Sequence, residues 1–113
     1  MDTTKFLQDA LANDGLYCIF ASNTATERRV QKFFTSVDDL VTTATDLDTQ
    51  GYNVYFALST FREDKSRKVD NVKYVKTFFL DLDCGPSKEF TNQKAALDAL
   101  KDFCKSNSLP RPL

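Results

Sequence analysis

Apolar residues along the chain change period several times, and each change predicts an element. Phe6, Leu7, Ala10 and Leu11 recur at helical spacing behind Thr3 or Thr4 as the cap. Asn13-Asp14-Gly15 then supplies a stop, with Gly15 in the left-handed position beyond the helix end. Leu16 to Ala21 is β-rich and apolar on both faces, Ser22-Asn23-Thr24 breaks it, and Glu27 to Phe34 resumes as a more polar strand, which predicts a hairpin. Ser36-Val37-Asp38-Asp39 has capping-box spacing, and Leu40, Val41, Ala44 and Leu47 follow at helical period until Gln50-Gly51. Tyr52 to Ser59 alternates two sets that are both mostly apolar, as an inner strand requires.

The segment Arg62-Glu63-Asp64-Lys65-Ser66-Arg67-Lys68 has no reason to bury itself and reads as an exposed loop. Val75 to Asp83 gives a second inner strand, and Cys84-Gly85-Pro86-Ser87 a turn. From a cap at Thr91 or Asn92, the residues Ala96, Leu97, Leu100, Phe103 and Cys104 form one apolar helical stripe that ends at Ser106-Asn107-Ser108. The predicted fold is therefore α+β, in the order α-β-β-α-β-β-α, with a small mixed sheet of about four strands and helices packed on it. Residues 1–113 form a single module, and Leu109-Pro110-Arg111-Pro112-Leu113 ends as extended chain, which suggests truncation.

Composition narrows the chemistry. Fifteen Lys and Arg against sixteen Asp and Glu give 15 − 16 = −1, so no general attraction to nucleic acid or to an anionic membrane follows, and any anion site must be local. The longest apolar runs are strand-sized, far from the roughly 20 residues of a membrane helix. The first residues carry neither the basic start nor the apolar core of a secretory signal, so the expected compartment is cytoplasmic. Cys18, Cys84 and Cys104 are widely spaced, without a C-x-x-C pair, and are expected to be reduced and buried. Histidine is absent, which removes Ser-His and Cys-His nucleophile pairs and imidazole metal sites. Carboxylates carry whatever chemistry the chain has.

Phe78-Phe79-Leu80-Asp81-Leu82-Asp83 concentrates that chemistry. In a strand, Asp81 and Asp83 share one face and Leu80 and Leu82 the other. Two adjacent carboxylates repel unless a cation neutralises them, and paired oxygens suit Mg²⁺ or Mn²⁺. The structural alternative is that Asp83 opens the following turn through its side chain while Asp81 meets a nearby Lys or Arg.

With Tyr52-Asn53-Val54-Tyr55-Phe56-Ala57-Leu58 before it, and Lys88, the Ala95 to Phe103 helix and Leu109-Pro110-Arg111-Pro112 after it, the string Phe79-Leu80-Asp81-Leu82-Asp83-Cys84-Gly85 resembles the amino-terminal half of archaeo-eukaryotic-type primases. The similarity is greatest to the primase-polymerases of phages and plasmids. It runs from about Gly15 to the end of the chain. The resemblance implies DNA primase and polymerase activity, a metal-dependent, template-directed nucleotidyl transfer in which Asp81 and Asp83 are the first two catalytic metal ligands. Its partners would be a nucleic acid template and nucleoside triphosphates, and its location the host cytoplasm if the chain is phage-encoded. The family's Ser-Gly-rich strand with its histidine, and its third acidic residue, have no counterpart here. The resemblance therefore implies a module inactive alone, completed by a carboxy-terminal half or by a partner chain.

Arg62, Lys65, Arg67 and Lys68 are candidates for template or nucleotide phosphates, diluted by Glu63 and Asp64, with a solvated loop as the plainer alternative. Among Phe33, Phe34, Tyr52, Tyr55, Phe61, Phe78 and Phe79, core packing is expected for most, and Phe61, beside the loop, is the candidate base stacker. Two rival functions are a non-catalytic, replication-associated interaction module derived from a primase, and a nucleotide-sugar site of the Asp-x-Asp type.

Overall fold

In the computed structural model, which describes residues 2–113, Asp2 rather than Thr3 or Thr4 caps the first helix. Its carboxylate accepts the Lys5 backbone N–H at 2.8 Å, satisfying one of the donors that a helix start leaves without a partner. This helix, α1 (Thr3–Ala10), ends before the predicted stop. Gly15 is not its terminating residue but a tight turn into β1 (Tyr17–Asn23). Its φ of +103° is open to glycine, and a Cβ there would lie 2.7 Å from Thr60 Oγ1.

The hairpin forms as expected. β1 pairs antiparallel with β2 (Arg28–Phe34), from Tyr17 opposite Phe34 to Asn23 opposite Arg28. The second helix, α2 (Val37–Thr49), starts where its sequence predicts, with Ser36 Oγ accepting the Asp39 N–H at 3.2 Å. β3 (Asn53–Phe56) pairs antiparallel with the other side of β1, giving a sheet of order β2-β1-β3. One face of this sheet holds Tyr17, Ile19 and Ala21, and packs with Leu7 and Leu11 and with Leu40 and Leu47 of α2 into the core. Burial of each large aliphatic side chain there contributes about 1.5–3 kcal/mol.

Tyr52 to Ser59 is not one inner strand. It divides into β3, at the edge of the three-stranded sheet, and β4 (Ser59–Phe61), which pairs antiparallel with β5 (Val72–Val75) in a second sheet. Both sheets are antiparallel, where the sequence predicts one mixed sheet. A single 3-10 turn, Val69–Asn71, precedes β5. The predicted strand from Val75 to Asp83 is corrected as well: residues 78–83 lie in no strand, and Phe78, Phe79 and Leu80 are exposed. The reason is the length of the partner. The β4–β5 ladder ends where Val75 meets Ser59, the first residue of β4, and just before it Ala57 gives its backbone N–H to Cys18 O at 3.0 Å instead.

The described residues divide into two compact units, 2–78 and 79–113. The second contains the turn after Asp83 and α3 (Gln93–Ser106), capped by Asn92, whose Oδ1 accepts the Ala95 N–H at 2.9 Å. Of its predicted apolar stripe only Ala96 is buried, and Leu97 and Phe103 are exposed. No helix among the described residues is long and apolar enough to cross a membrane.

Candidate functional site

Asp81 and Asp83 lie outside any strand, just before a turn. Both are exposed. The turn after them closes through its own backbone: Lys88 N–H donates to Gly85 O at 3.1 Å and Gly85 N–H to Phe90 O at 2.9 Å. The Asp83 side chain is therefore left over from the turn, and one of its oxygens stands 3.0 Å from Lys88 Nζ. Among the described residues Asp81 has no ion-pair partner. The alternative in which Asp81 meets a cation thus falls instead on Asp83. The hard oxygens of both carboxylates suit Mg²⁺ or Mn²⁺ in chemical type. Among the described residues no three Asp, Glu or Cys side chains gather as a ready-made metal cage.

The four loop cations, all in the first unit, have separate roles. Arg62 Nε donates to Val72 O at 3.2 Å and so ties the loop to β5. Lys65 pairs with Glu63 at 3.0 Å, an exposed contact of small value. Arg67 crosses to the three-stranded sheet, where Nε donates to Gln31 Oε1 at 2.6 Å and the guanidinium sits 4.3 Å from the centre of the Phe20 ring. Lys68 is exposed and carries the backbone oxygen that Asn71 N–H reaches at 3.0 Å.

Asn71 organises this loop, a role the sequence reading did not assign. Its side chain is buried, donates at 2.7 Å to Glu63 O and at 2.7 Å to Ser66 O, and accepts the Glu63 N–H at 3.1 Å. An Asn closing a polar, mixed-charge stretch is the available signal, since short amide side chains bridge backbone groups in loops.

Phe61 is not a base stacker. It is buried at 2% exposure and packs edge-on against Phe33, with ring centres 5.7 Å apart. Its strand pairs with β5, and its backbone exchanges two 2.8 Å hydrogen bonds with Leu16, so the ring turns inward despite the charged neighbours. Of the aromatics expected in the core, Tyr55, Phe78 and Phe79 are open to solvent, as are Phe56, Tyr74 and Phe103.

All three cysteines are free thiols, but only Cys18 is buried; Cys84 and Cys104 are half-buried. Burial pushes the Cys18 thiol up to about 11, against a smaller opposite pull from Arg67. An open cleft of about 470 Å³ in the first unit is bordered by Phe6, Leu40, Val41, Ala44 and Tyr52. Its lining holds one carboxylate, Asp48, and the phenols of Tyr52 and Tyr55.

Compared with known proteins, the chain matches no family model, no curated protein and no solved structure.

Proposed function

We propose that the chain is part of a primase-polymerase of the archaeo-eukaryotic type, serving template-directed nucleotidyl transfer in the cytoplasm, or in the host cytoplasm if it is phage-encoded. Asp81 and Asp83 would hold Mg²⁺ or Mn²⁺, which when bound neutralises the triphosphate of the incoming nucleotide. The observation that supports this reading is the Asp81-x-Asp83 pair itself, solvent-facing on both residues and following the apolar run Phe78-Phe79-Leu80. Two carboxylates do not fix two cations, and the chain has no histidine to meet a phosphate. The remaining ligands belong to residues outside these 113, on the same chain or on a partner, and the chain alone neither primes nor extends.

A second reading, the non-catalytic replication-associated module, is favoured by a different observation. Phe78 is fully exposed, and Phe79 and Leu80 are 71% and 61% exposed, an apolar run of the kind that interaction surfaces use. Calorimetric titration with Mn²⁺ and a deoxynucleoside triphosphate separates the readings. The primase reading expects binding that Asp81→Asn abolishes. Absence of binding favours the interaction module, and preference for a nucleotide-sugar overturns the primase reading in favour of a transferase-type site.

A further inference from the structure

The three-stranded sheet has two edges, and they differ in charge. β2 carries Arg28, Arg29 and Lys32, charges of the kind that keep an edge from pairing with another chain. β3 carries none, and no residue from Gly51 to Phe61 is charged. Nor does β3 contain a proline, and its pairing with β1 runs in continuous register without a bulge. Val54, Tyr55 and Phe56 give it apolar side chains on both faces, the pattern of an inner strand. It nevertheless lies at an edge, with Asn53, Tyr55 and Phe56 exposed.

The register fixes which backbone groups of β3 are open. Ala57 N–H donates to Cys18 O at 3.0 Å, in step with the pairing of Phe56 opposite Ile19 and Tyr55 opposite Phe20. Backbone groups of an antiparallel strand point alternately to its two sides. Asn53 and Tyr55 therefore turn their N–H and C=O toward β1, and Val54 and Phe56 turn theirs away from it. Among the described residues no strand lies on that outer side. On the core face, the cleft of about 470 Å³ borders the same strand, lined there by Val54 and Phe56 and across from them by Phe6, Val41 and Ala44. Both the backbone partners and the side-chain space of a further strand are thus free.

We propose that β3 pairs antiparallel with β3 of a second copy of the chain, joining the two sheets into one continuous sheet. Identical antiparallel strands are related by a two-fold axis normal to the sheet, so like faces meet. The register that uses every outward group sets Val54 of each copy opposite Phe56 of the other, each pair exchanging both of its N–H···O bonds. Tyr55 then meets its own copy at the axis, on the face opposite the core. There the Phe20 and Tyr55 rings of each copy, with centres 6.3 Å apart, become one row across the junction. Charge selects a second copy as the occupant: β3 meets itself without repulsion, whereas β2 pairing with itself would crowd Arg28, Arg29 and Lys32 against their equivalents. The seam is short, so the dimer is expected to depend on concentration and to be half-formed at about 10–100 µM. The inference uses neither Asp81 nor Asp83 and does not rest on the primase reading.

The test is sedimentation equilibrium of the full chain from about 5 µM to about 1 mM, across which the mass is expected to double. Tyr55→Lys sets two ammonium groups against each other at the axis and is expected to raise the dimer dissociation constant about tenfold or more, with circular dichroism confirming the fold. Arg29→Glu, on the β2 edge, leaves dimerisation unchanged. A cross-link reads the register in a background of Cys84→Ser and Cys104→Ser. Under a mild oxidant Tyr55→Cys is expected to form an intermolecular disulfide, because residues opposed in a non-hydrogen-bonded pair have Cα atoms about 4.5 Å apart, whereas Asn53→Cys is out of reach of its copy. A chain that stays monomeric at about 1 mM overturns the proposal. So does a dimer that Tyr55→Lys leaves intact, or in which Tyr55→Cys fails to cross-link, since the contact then lies elsewhere, such as on the exposed Phe78-Phe79-Leu80 run.

Discussion

Lys88 Nζ stands 3.0 Å from a carboxylate oxygen of Asp83, and this ion pair bridges the two ends of the turn that follows the Asp-x-Asp pair. Both side chains are largely open to water, so the pair itself contributes no more than about 1 kcal/mol to stability. Its larger consequence is electrostatic, because a divalent cation at Asp81 and Asp83 must share Asp83 with an ammonium group. Replacing Lys88 with Met is expected to raise Mn²⁺ affinity by about two- to fivefold while changing unfolding stability by less than about 1 kcal/mol. A Mn²⁺ titration of both proteins checks this, and weaker binding by Lys88→Met would show that Lys88 supports the site and does not compete with it.

Asn71 is expected to control the charged loop from within. Asn71→Ala leaves the Glu63 and Ser66 carbonyls and the Glu63 N–H without their buried partner, which costs about 1–3 kcal/mol. Denaturant unfolding measures the loss. Hydrogen exchange localises it: the Glu63 amide should exchange faster, while amides of the β1–β2 hairpin keep their protection relative to global stability.

Gly15 and Thr60 form a second sensitive contact. An alanine Cβ at position 15 would lie 2.8 Å from Thr60 Cβ, and φ is +103°. Gly15→Ala should therefore destabilise by at least about 1–3 kcal/mol. Thr60→Val should be near neutral, since its buried Oγ1 has no hydrogen-bond partner among the described residues. Melting temperatures of the two variants order them.

Cys18 gives the fold an alkaline limit. Its thiol ionises near 9.0 in the unfolded chain but only near 11 in the fold, so the neutral buried thiol stabilises fully below about pH 9. That contribution is lost as pH rises toward 11. Cys18→Ala should accordingly flatten the fall of stability across this range, measured by denaturant midpoints at several pH values. In the native protein, a thiol reagent should modify Cys84 and Cys104 well before Cys18, which is the only buried thiol.

Local signals made much of the fold legible. Ser36 and Asp39 marked the start of α2 and Thr91 or Asn92 that of α3, and the two β-rich runs marked the hairpin, although Ser22 and Asn23, expected to break it, pair with Arg29 and Arg28. What failed were inferences that need to know which strand lies beside which. Val54, Tyr55 and Phe56 are apolar on both faces, as in an inner strand, yet β3 is an edge whose Tyr55 faces solvent. Phe78-Phe79-Leu80 has strand propensity, but the β4–β5 ladder closes at Val75 and Ser59, and Ala57 before it gives its N–H to Cys18 O. Phe61 follows the opposite rule, drawn inward by Leu16 and Phe33 although charge adjoins it in sequence. The Asp-x-Asp pair was visible as residue types; Lys88 as the partner of Asp83 was not, because that contact depends on how the turn closes.

The central claim is that Asp81 and Asp83 together hold a divalent cation. Paramagnetic broadening of backbone amide signals by substoichiometric Mn²⁺ tests it most directly, since the effect falls steeply with distance from the bound ion. The account predicts broadening centred on Asp81, Leu82, Asp83 and Cys84, lost in Asp81→Asn and competed away by Mg²⁺. Broadening centred on other exposed carboxylates, such as Asp38 and Asp39 in the first turn of α2, or broadening that Asp81→Asn leaves intact, would contradict it.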